Sequence, residues 1–218
     1  MKIKGVRAVV FDLDGTLLDT EKLYKRFWVE AARQMGYPMR AEHALMIRAM
    51  AAQYAEPLLR REVCADFDYH GVRALRRKIM EAYIDENGVD PKPGMLELLR
   101  GLKSRGLRIA LATATPPERA QKYLDMVSAR AYFDEIVCAS MVKNGKPAPD
   151  IYALAAKKLD VEPHEAIAVE DAPSGIRSAH AAGLHAVMIP DQDEPDEEIR
   201  AMCAAVVRGL PDVMGLLD

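Results

Sequence analysis

The chain has 218 residues and is 50% apolar, enough to bury one good core and a second small one but no more. Its 30 basic and 33 acidic residues leave a formal charge of -3, which excludes any general attraction to nucleic acid or a membrane surface; an anionic ligand must be held by local groups or a metal. Three cysteines, Cys64, Cys138 and Cys203, are odd in number and far apart, which fits neither a disulfide framework nor a zinc site and suits reduced, packed thiols.

In chain order, the opening MKIKGVRAVVF has no apolar run of signal-peptide length, and no later stretch has the length to span a bilayer, so a cytoplasmic protein is expected. Val6 to Phe11 form the first strand candidate, which runs directly into FDLDGTLLDT. A carboxylate at the end of a buried strand is costly unless something positive meets it, which makes Asp12 and Asp14 the first candidates for chemistry. Side chains of an extended strand alternate faces, so this pair shares one side and one site.

From about Leu17 to Asp90 there are helical periods and charge-rich faces but no convincing strand, which predicts an all-helical insertion. Trp28 and Tyr24, at helical spacing, read first as packing residues of that insertion. In PGMLELLRGLKSRG, Pro93 suits a first helical position, Met95, Leu98, Leu99 and Leu102 make one stripe, and Gly106 is a stop. The strand candidate Leu107 to Leu111 follows, and the LATAT sequence places Thr113 at its tip, with Thr115 as a helix cap before Pro116 and Pro117. Next comes GKPAPD, in which Lys146 is held extended before a proline. Ala166 to Val169 then run into the adjacent acids Glu170 and Asp171. DAPSGIRSAHAAG is a helix opened by Pro173 and closed by Gly183, and Ala186 to Ile189 are the fourth strand candidate.

Short apolar strands alternating with helices predict a parallel sheet covered on both faces, with the ligand crevice beyond the carboxyl ends of its strands. Asp12, Asp14, Thr113, Glu170 and Asp171 all fall at such ends. Four carboxylates in one crevice repel each other and an anionic substrate unless a hard divalent cation and a lysine are present. Oxygen-only donors favour Mg²⁺ over zinc. A calcium loop beginning at Asp12 fails, because Leu17 and Leu23 stand where it needs Gly and Glu. The basic segments LLRREV and RALRRK are interleaved with Leu, Val and acids and read as solvated helix faces, not a nucleic-acid site. The five histidines show no metal-binding HExxH spacing.

DLDGT, the strand-end Thr113, Lys146 in GKPAPD and the Glu170-Asp171 pair resemble, in order, the four motifs of the haloacid dehalogenase-like hydrolase superfamily. More narrowly, LLDTEKLY, EDAPSGIRSAHAAG and VMIPD are similar to the β-phosphoglucomutase-like branch of small phosphatases and mutases, and the match spans nearly the whole chain. The resemblance implies an α/β fold: a Rossmann-like parallel-sheet core of residues 1–16 and 91–218 with an all-helical cap domain, residues 17–90; a cap that opens and closes over the crevice is expected, to exclude water while the leaving group departs. It implies that Asp12 is a nucleophile forming an aspartyl-phosphate and that Asp14 is the general acid and base. Thr113, Ala114 and Lys146 would hold phosphoryl oxygens, and Asp12, Asp14 through its carbonyl and Asp171 would bind Mg²⁺, with Glu170 either a direct ligand or a support for the others.

The expected function is hydrolysis of a small phosphorylated metabolite, a sugar phosphate or nucleoside monophosphate, by a monomer without nucleic-acid or membrane partners. The main rival is a sugar phosphomutase. Mutases of the branch carry a cap histidine shortly after DGxxxDT and an arginine-containing GxSR loop; here Tyr24 stands at the first place and ALMIRAMAAQ lacks the second, which favours hydrolysis. A non-catalytic phosphate-binding module that kept the fold is the other alternative, and no motif residue is missing to support it.

Overall fold

The computed structural model describes residues 2–48 and 52–218, so Ala49, Met50 and Ala51 of the ALMIRAMAAQ stretch lie outside the described residues. The strands are β1 (Ala8–Phe11), β2 (Arg108–Thr113), β3 (Glu135–Cys138), β4 (Ala166–Glu170), β5 (His185–Met188) and β6 (Ala205–Val206). Among the described residues they form one six-stranded sheet in the order β3-β2-β1-β4-β5-β6, with every pairing parallel. The uninterrupted apolar runs of β1 and β4 are buried along their whole length, as a sheet covered on both faces requires. β3 and β6 have no counterpart among the sequence candidates. EIVC is half-exposed at its start and β6 is two residues long, so neither carries enough apolar pattern to be read locally.

The chain divides into two compact units, Met1–Asp19 with Asp90–Asp218, and Thr20–Val89. The second holds α1 (Glu21–Gln34), α2 (Ala41–Met46), α3 (Ala52–Glu62) and α4 (Tyr69–Asn87), with no strand among its described residues. Its core gathers Trp28, Ala31, Leu59, Phe67, Tyr69 and Val72. Trp28 packs there as expected, its ring centre 5.6 Å from that of Tyr69. Tyr24 is half-buried, with the Arg76 guanidinium 4.8 Å from its ring centre.

In the sheet unit, α5 (Met95–Ser104) buries the stripe Met95, Leu98, Leu99 and Leu102. Pro93 does not open this helix. Gly94 precedes the first turn instead, at φ +79°, and a Cβ there would lie 2.6 Å from the Pro211 ring, so only glycine fits the turn. The remaining helices that frame the site are α6 (Pro117–Met126), α7 (Asp150–Lys158) and α8 (Pro173–Ala181). Small residues on one face of the sheet, Ala8, Ala110, Ala112 and Ala168, share a cluster with Ile151, Tyr152 and Ala155 of α7 and Ile176 and Ala179 of α8. That close approach seats α7 on β3, β2 and β1 and α8 on β5 and β4.

The two chain crossings at the unit boundary are joined within the sheet unit. The Asp19 N–H donates to the Asp90 carbonyl at 2.9 Å, and the Lys92 N–H to the Leu17 carbonyl at 2.8 Å. Lys92 Nζ donates to Asp19 at 3.2 Å and to Asp191, in the loop after β5, at 2.7 Å. No helix of the described residues is long and apolar enough to cross a membrane.

Candidate active site

The register places Phe11, the last residue of β1, beside Leu111 and Val169; β4 runs one residue further, to Glu170, and β2 two further, to Thr113. The Asp12 N–H continues the ladder to the Val169 carbonyl at 3.0 Å, after which the chain turns at Gly15, φ +84°. That turn permits the left-handed conformation a side chain would resist, and it returns Leu17 and Leu18 N–H groups to the Leu13 carbonyl.

Lys146 joins the segments. It lies in the loop before α7, preceding a cis peptide bond to Pro147, and its Nζ reaches Asp12 Oδ1 at 2.6 Å, Glu170 Oε1 at 2.5 Å and the Ala112 carbonyl at 2.9 Å. All three ammonium protons are therefore used, one on each of β1, β2 and β4 or the residue after it. Asp12, Glu170 and Asp171 are buried and each offers an oxygen within 4.8 Å of the other two. Thr16 Oγ1 donates to Asp171 Oδ1 at 3.3 Å, and the Tyr152 hydroxyl donates to Glu170 Oε1 at 2.6 Å. Neither Thr16 nor Tyr152 is among the residues singled out from sequence: Thr16 stands inside DLDGT, but nothing in IYALAAKK separates a ligand-holding tyrosine from an apolar helix face.

Asp14 is half-buried, and its carboxylate is not one of the three clustered acids. Its Oδ2 accepts the Thr115 hydroxyl at 2.6 Å. Thr115 thus does not cap α6 as the sequence suggests; Pro116 holds that position, and the threonine is drawn to the nearer charge. Thr113 ends β2 fully buried, its oxygen accepting the Thr115 N–H at 3.0 Å, a bond that uses a lone pair and leaves the hydroxyl proton to donate. Ala114 follows and is exposed beyond the strand end.

The electrostatics follow from one cation among several buried anions. Burial pushes the Asp12 carboxyl up to about 8 against the pull of Lys146, and the negative charges of Glu170 and Asp14 add to the rise. Burial works against the charged form of Lys146 too, but Asp12 and Glu170 outweigh it and hold the ammonium above its ordinary value. Burial, then Glu170 and Asp12, keep the Tyr152 phenol well above its ordinary value, so it is a donor. Three buried acids gathered around Lys146 present an all-oxygen donor set, and a set of this kind suits a hard divalent cation.

Residues 6–183 match the haloacid dehalogenase-like hydrolase family. The chain is 32% identical over 187 residues to a phosphorylated carbohydrates phosphatase of Thermotoga maritima, covering 84% of each chain. It is 31% identical over 186 residues to the fructose-1-phosphate phosphatase YqaB of Escherichia coli, covering 83% of this chain and 94% of that one. The crystal structure of CbbY from Rhodobacter sphaeroides in complex with phosphate superimposes with a TM-score of 0.77 at 27% identity, covering 97% of this chain and 99% of the other. With its motifs at the carboxyl ends of a parallel sheet and relatives of this kind along most of its length, the chain belongs to the haloacid dehalogenase-like hydrolases.

Proposed function

We propose that the chain is a Mg²⁺-dependent phosphatase of small phosphomonoesters, sugar phosphates foremost, that passes the phosphoryl group through Asp12. The observation that carries this reading is the buried Lys146 bridge between Asp12 and Glu170, with Asp171 beside them at the strand ends. Relatives named as phosphatases of phosphorylated carbohydrates and of fructose 1-phosphate support the substrate class. Mg²⁺ held by Asp12, Glu170, Asp171 and the Asp14 carbonyl would supply positive charge against the phosphoryl oxygens.

An Asp12 oxygen attacks phosphorus, the ester P–O bond breaks, and the departing alkoxide takes a proton from Asp14. Water then gives a proton back to Asp14 as its oxygen attacks phosphorus; the bond to Asp12 breaks and inorganic phosphate leaves, with both acids restored. The Thr115 hydroxyl donates to Asp14 Oδ2 and orients the carboxyl that exchanges the proton. A phosphoryl oxygen arriving beside Asp12 takes over one of the Lys146 protons, while the Thr113 hydroxyl and the Ala114 N–H complete the donor set.

Phosphate release by the pure protein from a panel of sugar phosphates and nucleoside monophosphates, with Mg²⁺ and with EDTA, tests the proposal. Mg²⁺-dependent release that EDTA abolishes is expected, with sugar phosphates at higher kcat/KM. An isomerised sugar phosphate without net release would identify a mutase instead, and no turnover of any ester would leave a phosphate-binding module.

A further inference from the structure

Two donors converge on one oxygen of Glu170. Lys146 Nζ and the Tyr152 hydroxyl both end on Oε1, at 2.5 and 2.6 Å. A carboxylate oxygen has two in-plane lone pairs, so Oε1 is filled, while neither bond involves Oε2. The carboxyl group is also seated against α8, where a Cβ on Gly175 would lie 1.9 to 2.2 Å from its atoms. Tyr152 is fully exposed to none of the solvent; it is 0% accessible, on the face of α7 that packs on the sheet with Ile151, Ala155 and Ala156. A phenylalanine would fill that space without burying a hydroxyl, and burying one costs free energy unless it has a partner. That partner is Glu170.

We propose that Tyr152 is a positioning residue for the metal site: by sharing Oε1 with Lys146 it locks the Glu170 carboxyl and leaves Oε2 as the oxygen that binds the cation. The proposal rests on the metal-dependent reading above and adds to it a residue on α7 that touches neither substrate nor cation.

The test is Tyr152→Phe, with Mg²⁺ titrated calorimetrically into substrate-free protein. About tenfold weaker Mg²⁺ binding is expected, the usual result of losing a partner that orients a ligand. In phosphate-release assays the variant's deficit at low Mg²⁺ should be recovered as Mg²⁺ is raised. A purely structural hydroxyl would lower Tm and leave the Mg²⁺ affinity unchanged, and that outcome overturns the proposal. A deficit that Mg²⁺ does not recover also overturns it. If the unsubstituted protein binds no Mg²⁺, the metal reading falls first and this inference with it. Should the variant not fold, ¹⁹F spectra of the wild-type chain carrying 3-fluorotyrosine at its eight tyrosines provide the second measurement. One signal is expected to shift on Mg²⁺ addition, and a spectrum indifferent to Mg²⁺ overturns the proposal.

Discussion

Asp12 is a carboxyl group whose environment resists its charge, since burial, with the negative charges of Glu170 and Asp14, lifts it to about 8 despite the touching lysine. A neutral side chain of the same shape is therefore well tolerated there, and the cost of replacing it falls on chemistry. We expect Asp12→Asn to lower kcat by at least about a thousandfold, because an amide forms no acyl phosphate, while the Tm measured in EDTA does not fall. A drop in both would mean that the residue serves the fold. At this scale the positions of Asp12, Asp14, Lys146, Glu170 and Asp171 were legible, because each sits in a short local pattern near the end of a strand or before a proline. Thr115 and Tyr152 were not. Their partners lie 101 and 18 residues away, and no local pattern says which distant acid a hydroxyl will meet.

Among the elements, α8 contributes a niche. A glycine inside a helix ordinarily costs about 0.5–1 kcal/mol relative to alanine, so Gly175→Ala should stabilise by that amount if space were open. The added Cβ would instead fall on the Glu170 carboxyl, whose Oε1 Lys146 and Tyr152 already hold. We expect Gly175→Ala to lower Tm in Mg²⁺ and to weaken Mg²⁺ binding about tenfold; thermal melts with and without the ion decide it, and a raised Tm would show that the carboxyl moves aside freely. A second joint is Asp134, just before β3, whose Oδ2 accepts the Ile109 N–H of β2 at 2.7 Å while Lys103 of α5 donates to both oxygens at 2.8 and 2.9 Å. Burial would raise this carboxyl, but the Lys103 bond and the Ile109 N–H outweigh it and hold it below 3.8. A depressed carboxyl stabilises above its unfolded value and loses that contribution as pH falls through the folded one. Asp134→Asn should accordingly lower Tm at pH 7, with the difference from wild type closing below about pH 3.8; a gap that persists in acid would assign the effect to packing. The helix stripe of α5 and the runs of β1, β2, β4 and β5 were readable from periodicity, whereas β3 was too short and too exposed to register.

For the whole molecule, the proposed cation site lies in one of two compact units, since Asp12, Glu170 and Asp171 all belong to the sheet unit. A ligand that binds only the folded form stabilises it by mass action, about 2.7 kcal/mol at a hundredfold excess over Kd. Calorimetry should show Mg²⁺ raising the unfolding transition of the sheet unit and EDTA reversing it, and a transition indifferent to both would count against the metal site. Sequence alone determined the alternation of strands and helices, the helical stretch between the first strand and Pro91, and the acids and lysine set at strand and loop ends. Those features rest on period, turn chemistry and motif spacing, all of them short-range. Only the tertiary structure decided that β1 lies between β2 and β4, that one lysine spans three segments, and which oxygen of Glu170 is taken. Those outcomes depend on the packing of α7 and α8 against small residues of the sheet, where contacts between residues far apart in the chain select one arrangement from many that the local patterns allow.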